Sequence, residues 1–208
     1  MTKALIVVDI QNDFCPGGSL VVKDGAKIVP EINKLMEDDY GLIIGTQDFH
    51  PAGHTSFAST HGKNPFETIK VKYGNQVLWP EHCIQGTNGV NFHDQLNVNK
   101  FDWILRKGRN LMVDSYSAFM ENDKKTKTGL TGLLSYYDRD GENYCSFDEV
   151  HIVGIATDVC VFNTAMDCIY EFVGSPKVIV KLDCCAGVTD EGVAKAVEIM
   201  KDNGIKVK

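Results

Sequence analysis

Three residue types that together could cleave an amide stand at the ends of apolar runs in this chain. Asp9 falls near the end of ALIVVDI, Lys107 closes FDWILRK, and Cys160 comes one short ATDV turn after EVHIVGI. A thiol attacks only as its thiolate, so it needs a proton acceptor beside it and a cation to favour the charge. A carboxylate, an ammonium and a thiol supply those parts, and the chemistry they fit is amide hydrolysis through a thioester. Each residue also has a plainer reading. An aspartate after a strand often serves a turn, a lysine at a strand end is usually solvated, and a single cysteine among apolar residues usually fills a core. The joint arrival of all three carries the chemical reading. The turn at Gly154-Ile155-Ala156-Thr157, leading into a helix, also presents backbone N–H groups where an oxyanion could be held.

A second set lies in TQDFHPAGH and WPEHC. Asp48 and His50 are two apart and point the same way on an extended backbone, and His82 supplies a second imidazole. Two imidazoles and a carboxylate are a frequent divalent-metal set that leaves positions open for water or ligand. By spacing alone His54 could replace one of them. Aromatic residues accompany every polar candidate: Phe14 in QNDF, Trp79 before His82, and Tyr116 and Phe119 in DSYSAF. Such side chains can wall a pocket for a flat ring.

The elements that must position these residues are legible as alternating patterns. ALIVVDI, GLIIGT, FDWILRK, EVHIVGI and KVIVKL, with a weaker IKVK, lack clean alternation, as strands covered on both faces of a parallel sheet do. Helical patterns cover Ala26–Met36, Leu130–Tyr137, Thr157–Phe172 and Thr189–Asp202, the last with Thr189 or Asp190 as N-cap and Gly204 beyond its end. The alternation predicts an α/β fold: a three-layer, Rossmann-like sandwich whose mostly parallel sheet of about six strands is flanked by helices. Ligands of such sheets bind beyond the carboxyl ends of the strands, where Asp9, Lys107 and Cys160 fall. The stretch from Thr46 to Val98 shows little period of either kind. A segment of about fifty residues like this is usually functional, and its aromatic and histidine content argues against disorder.

Composition narrows the partner. A chain of 208 residues with 43% hydrophobic content is expected to form one domain, 1–208, with the 46–98 segment supplying metal site and pocket. No apolar run is long enough to span a membrane, and Asp9 interrupts the N-terminal run before it could serve as a secretory signal. Seven cysteines in irregular spacing point to a reducing compartment, so the expected location is cytoplasmic. A net charge of −7, with no basic patch beyond KKTKTG, argues against nucleic acid and for a small-molecule partner. Self-association into a homo-oligomer is left open.

In order along the chain, VDIQNDFCPGGSL, TQDFHPAGHTSFAS, WPEHCIQGTNG, KG followed by VDSYSAF, and GIATDVCV resemble the nicotinamidases of the isochorismatase-like cysteine hydrolases. The resemblance implies a triad of Asp9, Lys107 and Cys160. It also implies one divalent ion, zinc first with manganese or iron as alternatives, on Asp48, His50 and His82. Phe14, Trp79, Tyr116 and Ala156 would line the pocket, and Ser56 and His54 would stand near the metal. A cis peptide is expected between Ile155 and Ala156, with the Ala156 and Cys160 N–H groups as oxyanion hole. The implied activity is hydrolysis of nicotinamide to nicotinic acid and ammonia in NAD salvage, extending to pyrazinamide. The rival readings are another hydrolase of the superfamily, acting on isochorismate or on a ureido or carbamoyl compound, and a non-catalytic ligand-binding relative.

Overall fold

The computed structural model describes residues 1–137, 139–174 and 176–208. In chain order its strands are β1 (Lys3–Val8), β2 (Leu42–Asp48), β3 (Thr68–Val71), β4 (Gly74–Val77), β5 (Trp103–Lys107), β6 (Ser135–Tyr137), β7 (Asn143–Cys145), β8 (Glu149–Ile155), β9 (Lys177–Ala186) and β10 (Lys206–Val207). The helices are α1 (Val29–Leu35), α2 (Leu130–Leu134), α3 (Phe162–Glu171) and α4 (Asp190–Asp202).

The unbroken apolar run of β1 has a simple cause. Its Ala4, Ile6 and Val8 pack with Val161, Ala165, Cys168 and Met200 on one side of the sheet, while Leu5 and Val7 pack with Val29, Ile32 and Met36 on the other. A strand buried on both faces has no use for polar alternation. Six strands form the sheet in the order β10-β9-β8-β1-β2-β5, and each pairing is parallel. The chain builds outward from β1 through β2 to β5, then restarts on the other side of β1 with β8, β9 and β10. The reversal between β1 and β8 opens a crevice at their carboxyl ends, the usual ligand position in this topology.

Several boundaries differ from the sequence reading. The helix expected over Leu130–Tyr137 stops at Leu134, and Ser135–Tyr137 instead pairs antiparallel with Asn143–Cys145. The Tyr136 and Tyr144 rings stack across this hairpin at 5.8 Å, a cross-strand aromatic pair that a helix could not form. The helix expected from Ala26 begins at Val29, with Pro30 in its first turn, where the missing N–H costs nothing. The pattern from Thr157 to Phe172 is two structures: a wide π turn over Thr157–Val161, in which the Ala156 carbonyl accepts from both Val159 N and Val161 N at 3.0 Å, and then α3. Thr189 caps α4 by accepting from Gly192 N at 3.0 Å. The stretch from Thr46 to Val98 is ordered by the β3–β4 hairpin and by bridges of His50 to Ile84 and Phe57 to Trp79.

Gly154, in the middle of the switch, shows how tightly β8 and β1 are held. Its φ is +120°, and a Cβ there would lie 2.1 Å from the Val8 carbonyl oxygen. Gly154→Ala is therefore expected to lower unfolding free energy by at least about 2 kcal/mol in urea titration, from backbone strain and the clash together. Wild-type stability in that variant would contradict the close approach.

Candidate active site

Three adjacent strands deliver polar residues to one point. Asp48 ends β2, Lys107 ends β5, and Asp9 follows β1. Asp9 has φ +49°, a left-handed conformation that aspartate tolerates better than most residues, and this turn leaves its carboxylate fully buried. Thr46 Oγ1 donates to Asp9 Oδ1 at 2.7 Å and accepts from the Asp9 backbone N–H at 3.2 Å. Lys107 Nζ lies 2.9 Å from Asp9 Oδ2 and 3.2 Å from Asp48 Oδ1, and it donates to the Ser115 carbonyl at 2.8 Å. From the other side of the switch the π turn brings Cys160 Sγ to 3.6 Å from Lys107 Nζ. The three residues predicted as a triad thus meet in one buried cluster.

Their charges follow from burial and neighbours. Burial pulls the Lys107 ammonium toward neutrality, but Asp48 and Asp9 overcome it and hold its pKa well above the ordinary lysine range. Burial likewise favours a neutral Asp48, yet His50 and Lys107 keep it well below the usual carboxylate range. Asp9 is raised, chiefly by burial, with Lys107 opposing. Burial also pushes the Cys160 thiol well above the ordinary thiol range, reinforced by Asp9 and Asp48 against the opposing Lys107. The sequence reading expected a cation that favours the thiolate. The cation is present, but desolvation and two carboxylates outweigh it, so the resting sulfur is a thiol beside a carboxylate of raised basicity, the arrangement general-base catalysis uses.

Asp48 also faces the predicted metal set. Its Oδ2 is 3.1 Å from His50 Nε2 and 3.5 Å from His82 Nε2. His50 Nδ1 bonds the Gly108 carbonyl and His82 Nδ1 the Pro80 carbonyl, both at 2.8 Å. Carbonyls only accept, so each Nδ1 carries a hydrogen, and in the neutral ring that a metal requires each Nε2 would offer the lone pair. His50 Nε2 is buried without a hydrogen-bond partner. Two imidazole lone pairs converging on a carboxylate oxygen fit a divalent cation, and one donor atom from each of the three residues lies within 4.8 Å of the others. His50, His54 and Asp114 also cluster. His54, however, donates from Nε2 to the Asn110 carbonyl at 2.9 Å and pairs through Nδ1 with Ser56 Oγ at 2.7 Å. Burial and the neighbouring His50 hold His54 down to about pKa 4. It stacks on His50 at 4.1 Å between ring centroids and is a support, with Ser56 behind it.

A cavity opens onto this cluster, and Phe14, Trp79, Tyr116, Ala156 and Cys160 line it, as expected, together with Asp48 and His82. Phe119 does not; it is fully buried in the core and packs on Phe172. The peptide bond between Ile155 and Ala156 is cis. Sequence reasoning missed Asp114 and Val188, which also line the cavity, and Thr46 and Ser115, which bind Asp9 and Lys107. Asp114 opens the DSYSAF motif and Thr46 ends GLIIGT, so both had a positional signal; Val188 had none. It is placed by Asp158, whose carboxylate accepts from Val188 N at 2.8 Å and Thr189 N at 3.2 Å.

Comparison with known proteins identifies the family. The model of the isochorismatase domain matches residues 3–208. The chain belongs to the isochorismatase family. Within that family it stands among the nicotinamidases: it is 47% identical to the nicotinamidase of Acinetobacter baylyi over 91% of this chain and 83% of the relative, and 41% identical to that of Escherichia coli over 89% and 84%. Among solved structures, a nicotinamidase and pyrazinamidase from Acinetobacter baumanii superposes with a TM-score of 0.89 at 45% identity, covering 99% of this chain and 95% of the other. An L. infantum protein in complex with nicotinate gives 0.82 at 35%, covering 100% and 92%. A pyrazinamidase of Pyrococcus horikoshii in complex with zinc gives 0.75 at 32%, covering 100% and 99%.

Two outcomes are expected. Elemental analysis should find a divalent ion at near one-to-one stoichiometry that His82→Ala loses and the isosteric Asp114→Asn keeps; the reverse pattern would place the ion on the His50, His54 and Asp114 group instead. Lys107→Met should abolish activity and, by leaving two buried carboxylates without their shared cation, lower stability by about 3 to 5 kcal/mol in urea unfolding.

Proposed function

We propose that this protein is a nicotinamidase that hydrolyses nicotinamide to nicotinic acid and ammonia through a thioester on Cys160, serving NAD salvage. One observation carries the reading: the thiol of Cys160 lies within reach of Lys107 and Asp9 at the floor of a cavity that also holds an aromatic wall and a metal-binding set. Asp9 accepts the thiol proton as sulfur bonds to the carboxamide carbon. The oxyanion that forms is held by the N–H groups of Ala156 and Cys160, where a donor of this kind is worth about 10²–10³ in rate. Asp9 returns the proton to the departing nitrogen, the C–N bond breaks, and ammonia leaves. A water molecule then gives its proton to Asp9 and its oxygen to the thioester carbon. Breaking of the C–S bond releases nicotinic acid, and Asp9 reprotonates the sulfur. Lys107 remains an ammonium throughout, offsetting whichever of sulfur and carboxylate carries the negative charge.

Asp48, His50 and His82 would hold the divalent ion, and the zinc complex of the Pyrococcus horikoshii relative supports zinc. When bound, it supplies a Lewis-acid anchor for the pyridine nitrogen, directly or through water, which orients the amide toward Cys160. Phe14, Trp79 and Tyr116 would flank the ring. Ureido compounds and isochorismate offer no ring nitrogen for such an anchor, so the metal set favours a pyridine or pyrazine carboxamide. The triad argues against a ligand-binding relative without catalysis. The seven irregularly spaced cysteines support a cytoplasmic location, and the net charge of −7 supports a small-molecule substrate. No described helix is long and apolar enough to cross a membrane.

The purified protein should release ammonia from nicotinamide, and Cys160→Ala should retain the wild-type circular dichroism spectrum while losing that release by at least about 10³-fold. Turnover of a ureido compound with none of nicotinamide would overturn the substrate assignment.

A further inference from the structure

Among the described residues the β3–β4 hairpin pairs with no other strand, and two-stranded hairpins are marginal by themselves in water. Every residue of its two strands is at least partly exposed except Gln76, which is 1% exposed. A carboxamide is costly to bury unless its bonds are made, and here they run into the cavity wall. Gln76 Nε2 lies 2.7 Å from the Val77 carbonyl, 2.8 Å from Asp114 Oδ2 and 3.1 Å from Tyr116 Oη, and these three acceptors share its two hydrogens. Its Oε1 accepts from the Tyr73 hydroxyl at 2.9 Å, and that hydroxyl accepts from Asp114 N at 3.3 Å. Asp114 and Tyr116 both line the cavity.

The Tyr116 oxygen receives a second donor, Trp79 Nε1, at 3.2 Å. Two donors occupy both acceptor positions of the phenol, and the Tyr116 ring is held edge-on to Trp79 at 82°. The connection also continues inward. Asp114 Oδ1 accepts from Ser115 N at 2.8 Å, and the Ser115 carbonyl accepts from Lys107 Nζ at 2.8 Å.

We propose that Gln76 is a positioning residue for catalysis: from the hairpin it fixes Tyr116 and Asp114 as the wall of the substrate pocket and so sets the affinity for the aromatic amide. The substrate named in this proposal rests on the nicotinamidase reading. Among the described residues, the hydrogen bonds of Gln76 reach neither the triad nor Asp48, His50 and His82, so its loss acts on binding more than on bond making. Loss of a neutral hydrogen bond corresponds to about a tenfold change in an equilibrium.

The test is a kinetic cycle on nicotinamide with Gln76→Met, which keeps the length of the side chain and removes its bonds, and Tyr116→Phe, which removes only the hydroxyl. Gln76→Met should raise KM about tenfold with kcat within about threefold of wild type. In the Tyr116→Phe background the same substitution should raise KM by clearly less than that factor, because one of the two groups it acts through is gone. An unchanged KM, a fall confined to kcat, or full additivity would overturn the proposal. If Gln76→Met does not fold, Tyr116→Phe alone must raise KM by a similar factor, and an unchanged KM is again decisive against it. Should wild-type protein not hydrolyse nicotinamide, the substrate reading is what fails, and the positioning role is then read from fluorescence. With Trp103→Phe leaving Trp79 as the sole indole, Gln76→Met should shift the Trp79 emission, and an unshifted spectrum would refute it.

Discussion

An ammonium group with no access to water persists only where acceptors surround it, and the site is organised around that demand at Lys107. Two carboxylates and one carbonyl meet its nitrogen at hydrogen-bond distance. Removing such a group from water costs several kcal/mol, so the surrounding acceptors cannot be casual. Asp9 and Asp48 each turn one oxygen to Lys107. The other oxygen of Asp9 takes the hydroxyl of Thr46, and the other oxygen of Asp48 faces His50 and His82. One carboxylate therefore faces both the surroundings of Cys160 and the two imidazoles. A change that displaces Lys107 disturbs both.

The same enclosure decides how the thiol is used. A cysteine exposed beside a lysine would ionise at rest and meet any electrophile in the solvent. Cys160 is 8% exposed and keeps its proton, so its reactivity is tied to Asp9 at the moment an amide carbon is in place. Asp9 suits that task because burial has raised its proton affinity while Lys107 limits the rise. The cavity above it is walled by aromatic side chains beside Asp48 and His82, and that wall rests in part on a hairpin outside the main sheet.

Legibility of these features in the sequence divides by range. The strands were readable because burial on both faces leaves apolar runs such as ALIVV, and Asp9, Lys107 and Cys160 stood out because each lies at or shortly beyond the end of such a run. The metal set was readable from DFH and WPEHC. What escaped depends on contacts that no local pattern encodes. Ser-Tyr-Tyr after α2 looks like the end of a helix until Tyr144 supplies a partner. Gln76 sits in a polar stretch and looks solvated until the chain returns at Asp114 and Tyr116 to bury it. Val188 enters the pocket because Asp158 binds its amide from another element.

The strand order has a consequence for how the enzyme comes into being. β1 lies between β2 and β8, and its register with β8 pairs Lys3 with Glu149. The half of the sheet made of β1, β2 and β5 brings Asp9, Asp48 and Lys107 together without Cys160. Only docking of β8 on β1, a closure spanning most of the chain and slow for that reason, delivers the sulfur. The charged groups of the site thus depend on one half of the sheet and its thiol on the other, so the pairing of β1 with β8 is what completes the cluster.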